Sequence, residues 1–159
     1  MSNEPQLAVV AAQTGEPPPV VGILMGSESD METMRTAATE LEGRGIPCEI
    51  RVISAHRQPD EVADYARSAR GRGLRVLICG AGLSAALPGV VAAQTDLPVI
   101  GVPLSSRLSA AGGLDAILSV LQMPPGVPVA AVGLDNARNA GVLAARIIDA
   151  AGGRPLSVA

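Results

Sequence analysis

Among its 159 residues the chain has no phenylalanine and no tryptophan, one tyrosine and one histidine. Lysine is missing as well: all twelve basic residues are arginine. Its absence excludes a P-loop lysine, a Schiff-base lysine of the pyridoxal type and a lysine general base. With Tyr65 as the single aromatic ring, base recognition by serial stacking is excluded too. A net charge of −3 offers no nucleic-acid face. One histidine rules out multi-histidine metal sites, and Cys48 and Cys79 stand too far apart for a CxxC pair, so no metal is expected. Two lone cysteines in β-like runs read as buried thiols of a reducing compartment. Long apolar runs are also lacking. The longest early one, residues 7–12, has no basic residue ahead of it and is too short and wrongly flanked for a signal peptide or a membrane span. A cytoplasmic protein without membrane contact is the expectation.

What is present is a core. The chain is 48% hydrophobic and 17% charged, enough apolar material for one buried sheet. Residues 1–19 end in Pro17-Pro18-Pro19 and show no periodicity, which reads as a loose extension. A single domain is expected over 20–151, with a short tail over 152–159. No repeat of 20–50 residues is visible.

From Val20 the pattern is regular. The short apolar run at 20–25 reads as a strand buried on both faces, and further β-like runs at 48–53, 75–79, 97–102 and 127–132 read as strands. Helical spacing falls between them: Met31, Met34, Ala38 and Leu41; then Val62, Ala66 and Ala69; a small-residue helix within 85–95; 114–122; and 136–151. Ser29 with Glu32 forms an S-x-x-E capping box at the first helix, and Pro59 suits the first turn of the second. The alternation βαβαβαβαβα predicts a three-layer α/β/α domain with a parallel sheet. Strand order 2-1-3-4-5 is expected by analogy with the flavodoxin-like arrangement. Ligands of such sheets sit beyond the carboxyl ends of the strands. The polar and glycine-rich segments 26–30, 54–57, 80–84 and 103–113 all follow strands, so they should converge on one edge.

Three of these turns carry candidate chemistry. Ser54-Ala55-His56-Arg57-Gln58-Pro59 holds the one side chain whose ordinary pKa is near neutrality, beside a guanidinium suited to phosphate or carboxylate. His56 is therefore the candidate proton carrier and Arg57 the anion holder. Gly26-Ser27-Glu28-Ser29-Asp30 leads into a helix N-terminus, where free N–H groups favour an anion and Asp30 could accept from a ribose diol; plain helix capping by Ser29 is the alternative. Gly80-Ala81-Gly82 is a close-approach turn, for a ligand or for strand-to-helix packing. Ala85 stands where a dinucleotide fingerprint needs glycine, so no Rossmann cofactor is expected. Asp115, Asp135 and Asp149 read as helix-start or surface carboxylates.

Met25-Gly26-Ser27-x-Ser29-Asp30, Ser54-Ala55-His56-Arg57-x-Pro59, Gly80-Ala81-Gly82, Ala86-Leu87-Pro88-Gly89, Leu97-Pro98-Val99-Ile100-Gly101-Val102-Pro103 and Gln122-Met123-Pro124 occur in this order. Together they resemble the PurE family, the N5-carboxyaminoimidazole ribonucleotide mutases of purine biosynthesis, over residues 20–150. The resemblance implies an isomerase on a flavodoxin-like homo-octamer, with sites between subunits and no metal, ATP or organic cofactor. By matching position, Ser27, Ser29 and Arg57 would hold the 5′-phosphate of a ribonucleotide substrate and Asp30 its ribose. Ser54, Ala55 and the backbone of Gly80, Ala81 and Gly82 would surround the ring and carboxylate, with His56 as general acid/base; Gly26, Ser84, Ala86 and Leu87 are further candidate substrate-binding residues. Two departures stand out. Ala86 replaces the usual histidine before Leu-Pro-Gly, and Ser84 resembles the related aminoimidazole ribonucleotide carboxylases, which use CO2. Arg57 and Gln122, where those carboxylases usually carry Lys and Arg, resemble the mutases. The loop over 104–114 also looks longer than usual, and Gln58 replaces the usual Thr, a weaker cap. A non-catalytic flavodoxin-like module that binds a ribose phosphate is the alternative of another class.

Overall fold

The structure, a computed structural model, describes residues 17–152. Most of the expected extension (1–16) and tail (153–159) therefore lies outside the described residues.

Strand β1 (Val21–Met25) is buried at every position. Its alternate side chains explain the layering, because successive residues of a strand face opposite sides. Ile23 and Met25, with Val76, Ile78, Ile100 and Val102, meet helices α1 (Met31–Glu42) and α5 (Ala137–Ala151). Leu24, Leu77, Cys79 and Val99 face the other way, toward α2 (Pro59–Ala69), α3 (Leu87–Ala92) and α4 (Leu114–Leu121). The result is three layers, helices on both sides of one sheet.

Strands β2 (Cys48–Val52), β3 (Val76–Gly82), β4 (Val99–Leu104) and β5 (Ala130–Ala131) complete the sheet in the order β2-β1-β3-β4-β5, all pairs parallel. This is the expected order. Two strands differ in extent. β4 begins two residues later than its apolar run and continues through Pro103 to Leu104. Proline is tolerated there because β5, only two residues long, has already left the ladder, so no partner needs the missing N–H. The Pro103 carbonyl instead accepts the Asp135 N–H at 2.9 Å.

The first helix is entered differently from the sequence expectation. A 3₁₀ turn over Glu28–Asp30 comes first, capped by Ser27, whose hydroxyl accepts the Ser29 N–H. Asp30 is the N-cap of α1 and makes no side-chain cap bond, so the Ser29–Glu32 box does not form. At the far edge, Tyr65 donates to Glu49 at 2.7 Å while Arg72 donates to the same carboxylate oxygen and lies over the tyrosine ring. Burial alone would raise the Glu49 carboxyl; the Tyr65 hydroxyl and the Arg72 guanidinium outweigh it and hold the group below the usual range. Helices α1 and α5 pack closely at Gly141, where an added Cβ would stand 2.8 Å from the Ala37 carbonyl oxygen. No described helix is long and apolar enough to cross a membrane.

Candidate active site at the carboxyl edge of the sheet

The register puts Val52, Met25, Gly80 and Val102 on one level, so the segments that follow leave the sheet side by side. The His56 turn is one tight loop. The Gln58 N–H donates to the Ser54 carbonyl at 2.8 Å, and the Arg57 N–H to the Ser54 hydroxyl at 3.3 Å. In return, the Gln58 side-chain oxygen accepts the Ser54 N–H at 3.3 Å, and its amide donates to Glu61. Gln58 thus contributes more than a weak cap: it closes the turn on which the imidazole stands. Ser54 is buried and Ala55 half-buried, which roots the turn in the core, while His56 and Arg57 are exposed at its apex.

The serine turn lies against it. A Cβ on Gly26 would be 3.8 Å from the Ser54 Cα, and the Arg57 guanidinium donates to the Gly26 carbonyl at 2.7 Å. Ser27 and Ser29 share a hydroxyl–hydroxyl bond of 2.9 Å on the same rim. Two serine hydroxyls, the N–H groups opening a helix and one guanidinium are a suitable donor set for a phosphate. Asp30, half-buried on this rim, has its carboxyl pushed up by burial and by the negative charge of Asp135.

The third turn divides by role. Gly80 lies inside β3, and a Cβ there would collide with the Met34 side chain, so this glycine serves packing. Gly82 passes close to β4, where a Cβ would meet the Leu104 carbonyl oxygen at 2.8 Å. Ala81 is buried beside them. Beyond the strand, Leu83 and Ala85 adopt positive φ (55° and 25°), a costly backbone for residues with side chains. This turn carries Ser84 out to solvent, and the Ser119 hydroxyl holds the Ser84 carbonyl at 3.0 Å. Ala86 is half-buried at the start of α3. Leu87 is only 2% exposed and its side chain packs in the core.

The residues missed by sequence reading lie after the fifth strand. Asp135, exposed just before the N-cap of α5 as expected, also accepts both the backbone N–H of Ser105, at 2.8 Å, and its hydroxyl. The available signal was position: residues 133–136 follow a strand as the other four segments do. Among the described residues no cluster of three or more His, Cys, Asp or Glu could hold a metal. The thiols of Cys48 and Cys79 are pushed up by burial.

The one histidine, two serine hydroxyls, a guanidinium and a carboxylate stand on one edge of the sheet, and known proteins share the chain that builds it. The N5-carboxyaminoimidazole ribonucleotide mutases of Pyrococcus horikoshii and Thermotoga maritima are each 55% identical over 130 residues, 82% of this chain and 72% and 75% of theirs. The phosphoribosylaminoimidazole carboxylase of Schizosaccharomyces pombe is 55% identical over the same length, which is 23% of that protein. A crystal structure of Treponema denticola PurE superimposes with a TM-score of 0.73 at 36% identity, covering 83% of this chain and 81% of that one. The AIR carboxylase family profile matches residues 20–154, essentially the whole folded unit. This chain belongs to the AIR carboxylase family.

Proposed function

We propose that this protein is an N5-carboxyaminoimidazole ribonucleotide mutase of de novo purine biosynthesis, an isomerase that moves a carboxylate from the exocyclic nitrogen of its substrate to C4 of the imidazole ring. The observation that carries this reading is the Arg57–Gly26 bond, which ties the one histidine's turn to the serine turn. The 55% identity to proteins named as mutases supports it.

In this reading Ser27, Ser29 and Arg57 hold the 5′-phosphate, and Asp30 accepts from the ribose hydroxyls. Ser54, Ala55 and the 81–84 segment shape the space for the ring. The carbamate C–N bond breaks, releasing CO2 that stays over the ring, while the imidazolium form of His56 returns a proton to the exocyclic nitrogen. C4 then attacks the CO2 carbon, and neutral His56 takes the C4 proton. The imidazole ends as it began, so protons balance without a cofactor. The enzyme acts in the cytoplasm as a homo-octamer. Leu114, Leu118 and Leu121 form an exposed apolar stripe on α4, Leu83 and Leu108 are exposed as well, and subunit contact would cover the stripe.

A second reading, aminoimidazole ribonucleotide carboxylase, is favoured by Ser84 on the rim and by Ala86 where a histidine is usual. Supplying purified protein with each substrate separately decides. Faster turnover of N5-carboxyaminoimidazole ribonucleotide is expected; faster turnover of aminoimidazole ribonucleotide with bicarbonate would reverse the assignment. An inert protein that still bound ribose 5-phosphate would mark a binding module.

A further inference from the structure

Asp135 stands in the left-handed region at φ 57°, a backbone that glycine adopts freely and that aspartate and asparagine enter more readily than other residues with side chains. Its charge also acts unfavourably on Asp30. What the position gives in return for that charge is its hold on Ser105. One carboxylate oxygen takes the Ser105 N–H at 2.8 Å and the other takes its hydroxyl, while the Asp135 N–H bonds the Pro103 carbonyl. The clamp grips the chain on both sides of Leu104, where β4 ends and the loop over 105–113 begins. That loop is braced internally: Ser106 N–H donates to the Ser109 hydroxyl at 2.8 Å, and Ala110 N–H to Asp115 at 3.1 Å. A segment stiff in itself and held at its root can be aimed; Asp30 lies near enough to the root to feel its charge.

We propose that Asp135 is a positioning residue for the reaction: by holding Ser105 through two bonds it fixes the 105–113 loop beside Asp30, so that the loop covers the ribose side of the bound substrate. This rests on the mutase reading, because a ribonucleotide must be what occupies the site.

The test uses the full-length assembled enzyme. Asp135→Gly keeps the positive φ and the backbone bond to Pro103 but removes both bonds to Ser105 together with the charge beside Asp30; Asp135→Asn also removes that charge, tolerates the same φ, and can still accept from the Ser105 N–H and donate to its hydroxyl. Losing hydrogen bonds to a charged group is expected to raise KM about tenfold in Asp135→Gly with kcat within about threefold, while Asp135→Asn stays within about threefold on both. Amide exchange over residues 105–109 should quicken in Asp135→Gly. Ser105→Ala, which alters no backbone angle, should give a smaller rise in KM and carries the test if the glycine variant fails to fold. Unchanged KM and unchanged exchange in an active enzyme would overturn the proposal, as would equal losses in kcat and kcat/KM that follow a fall in Tm. If the unaltered protein turns over neither substrate, the mutase reading falls first. Amide exchange then still reports whether the clamp holds the loop.

Discussion

Arg57 donates a 2.7 Å hydrogen bond to the carbonyl of Gly26, so the end of β2 and the end of β1 are joined by the same group that faces the anion cradle. The two neighbours in the His56 turn should therefore fail in different ways. Arg57→Ala is expected to raise KM about 10- to 100-fold, the worth of a charge-assisted bond to phosphate, with a smaller change in kcat. His56→Asn should lower kcat by ~10²–10⁴-fold, the usual contribution of a general acid/base, and leave binding intact. Steady-state kinetics with calorimetric titration of ribose 5-phosphate separates the two. Equal loss of binding in both variants would contradict the division of roles.

Asp30 sets a pH dependence. Burial first, and Asp135 second, raise its carboxyl above the ordinary aspartate range. Only the ionised form accepts from two ribose hydroxyls, so KM should rise as pH falls through this raised value, earlier than for an ordinary aspartate. Asp135→Asn removes the neighbouring charge and should shift that limb to lower pH. The stability linkage has the opposite sense. Between the unfolded and the raised folded value the folded state holds more proton, so this group's contribution to stability declines as pH increases across that window. A KM profile flat through the acid range would contradict the role given to Asp30.

The leucine stripe on α4 predicts assembly. Leu118 is 47% exposed, and a charge there would have to be buried against a neighbouring copy. Leu118→Glu should reduce the molar mass seen by light scattering and lower activity, while the isolated fold, with this side chain outside its core, keeps its circular dichroism. Retention of the full assembly would place the interface elsewhere.

Gly141→Ala should destabilise the fold by ~1–3 kcal/mol, because the new methyl meets the Ala37 backbone, which cannot step aside as a side chain can. Gly43→Ala is the control: its nearest neighbour would be 3.4 Å away, at an exposed helix end. Urea unfolding should show a lower midpoint for the first variant at unchanged slope.

Most of the architecture was readable in the chain because the central strands are short apolar runs and each β-like run is closed by glycine, serine or proline. The strand order was right by analogy. Boundaries failed where one residue type has two outcomes. Pro103 reads as a stop, yet it sits within β4 because β5 ends before reaching it. The run at 127–132 contains Pro128, and only Ala130–Ala131 pair. At the site, His56, Arg57 and the two serines were legible as polar residues directly after strands. Gly80 was ambiguous, since packing against Met34 and access for a ligand leave the same mark. Asp135 was missed because its partner, Ser105, lies thirty residues away.

Tyr65 is the one aromatic residue of the whole chain, and it is sealed between Glu49 and Arg72 beside the edge strand. Any ultraviolet signal from an aromatic ring in this protein therefore comes from a single address. A shift in that absorbance on heating or in denaturant reports the opening of this sheet margin, with no second chromophore to disentangle and no label to attach.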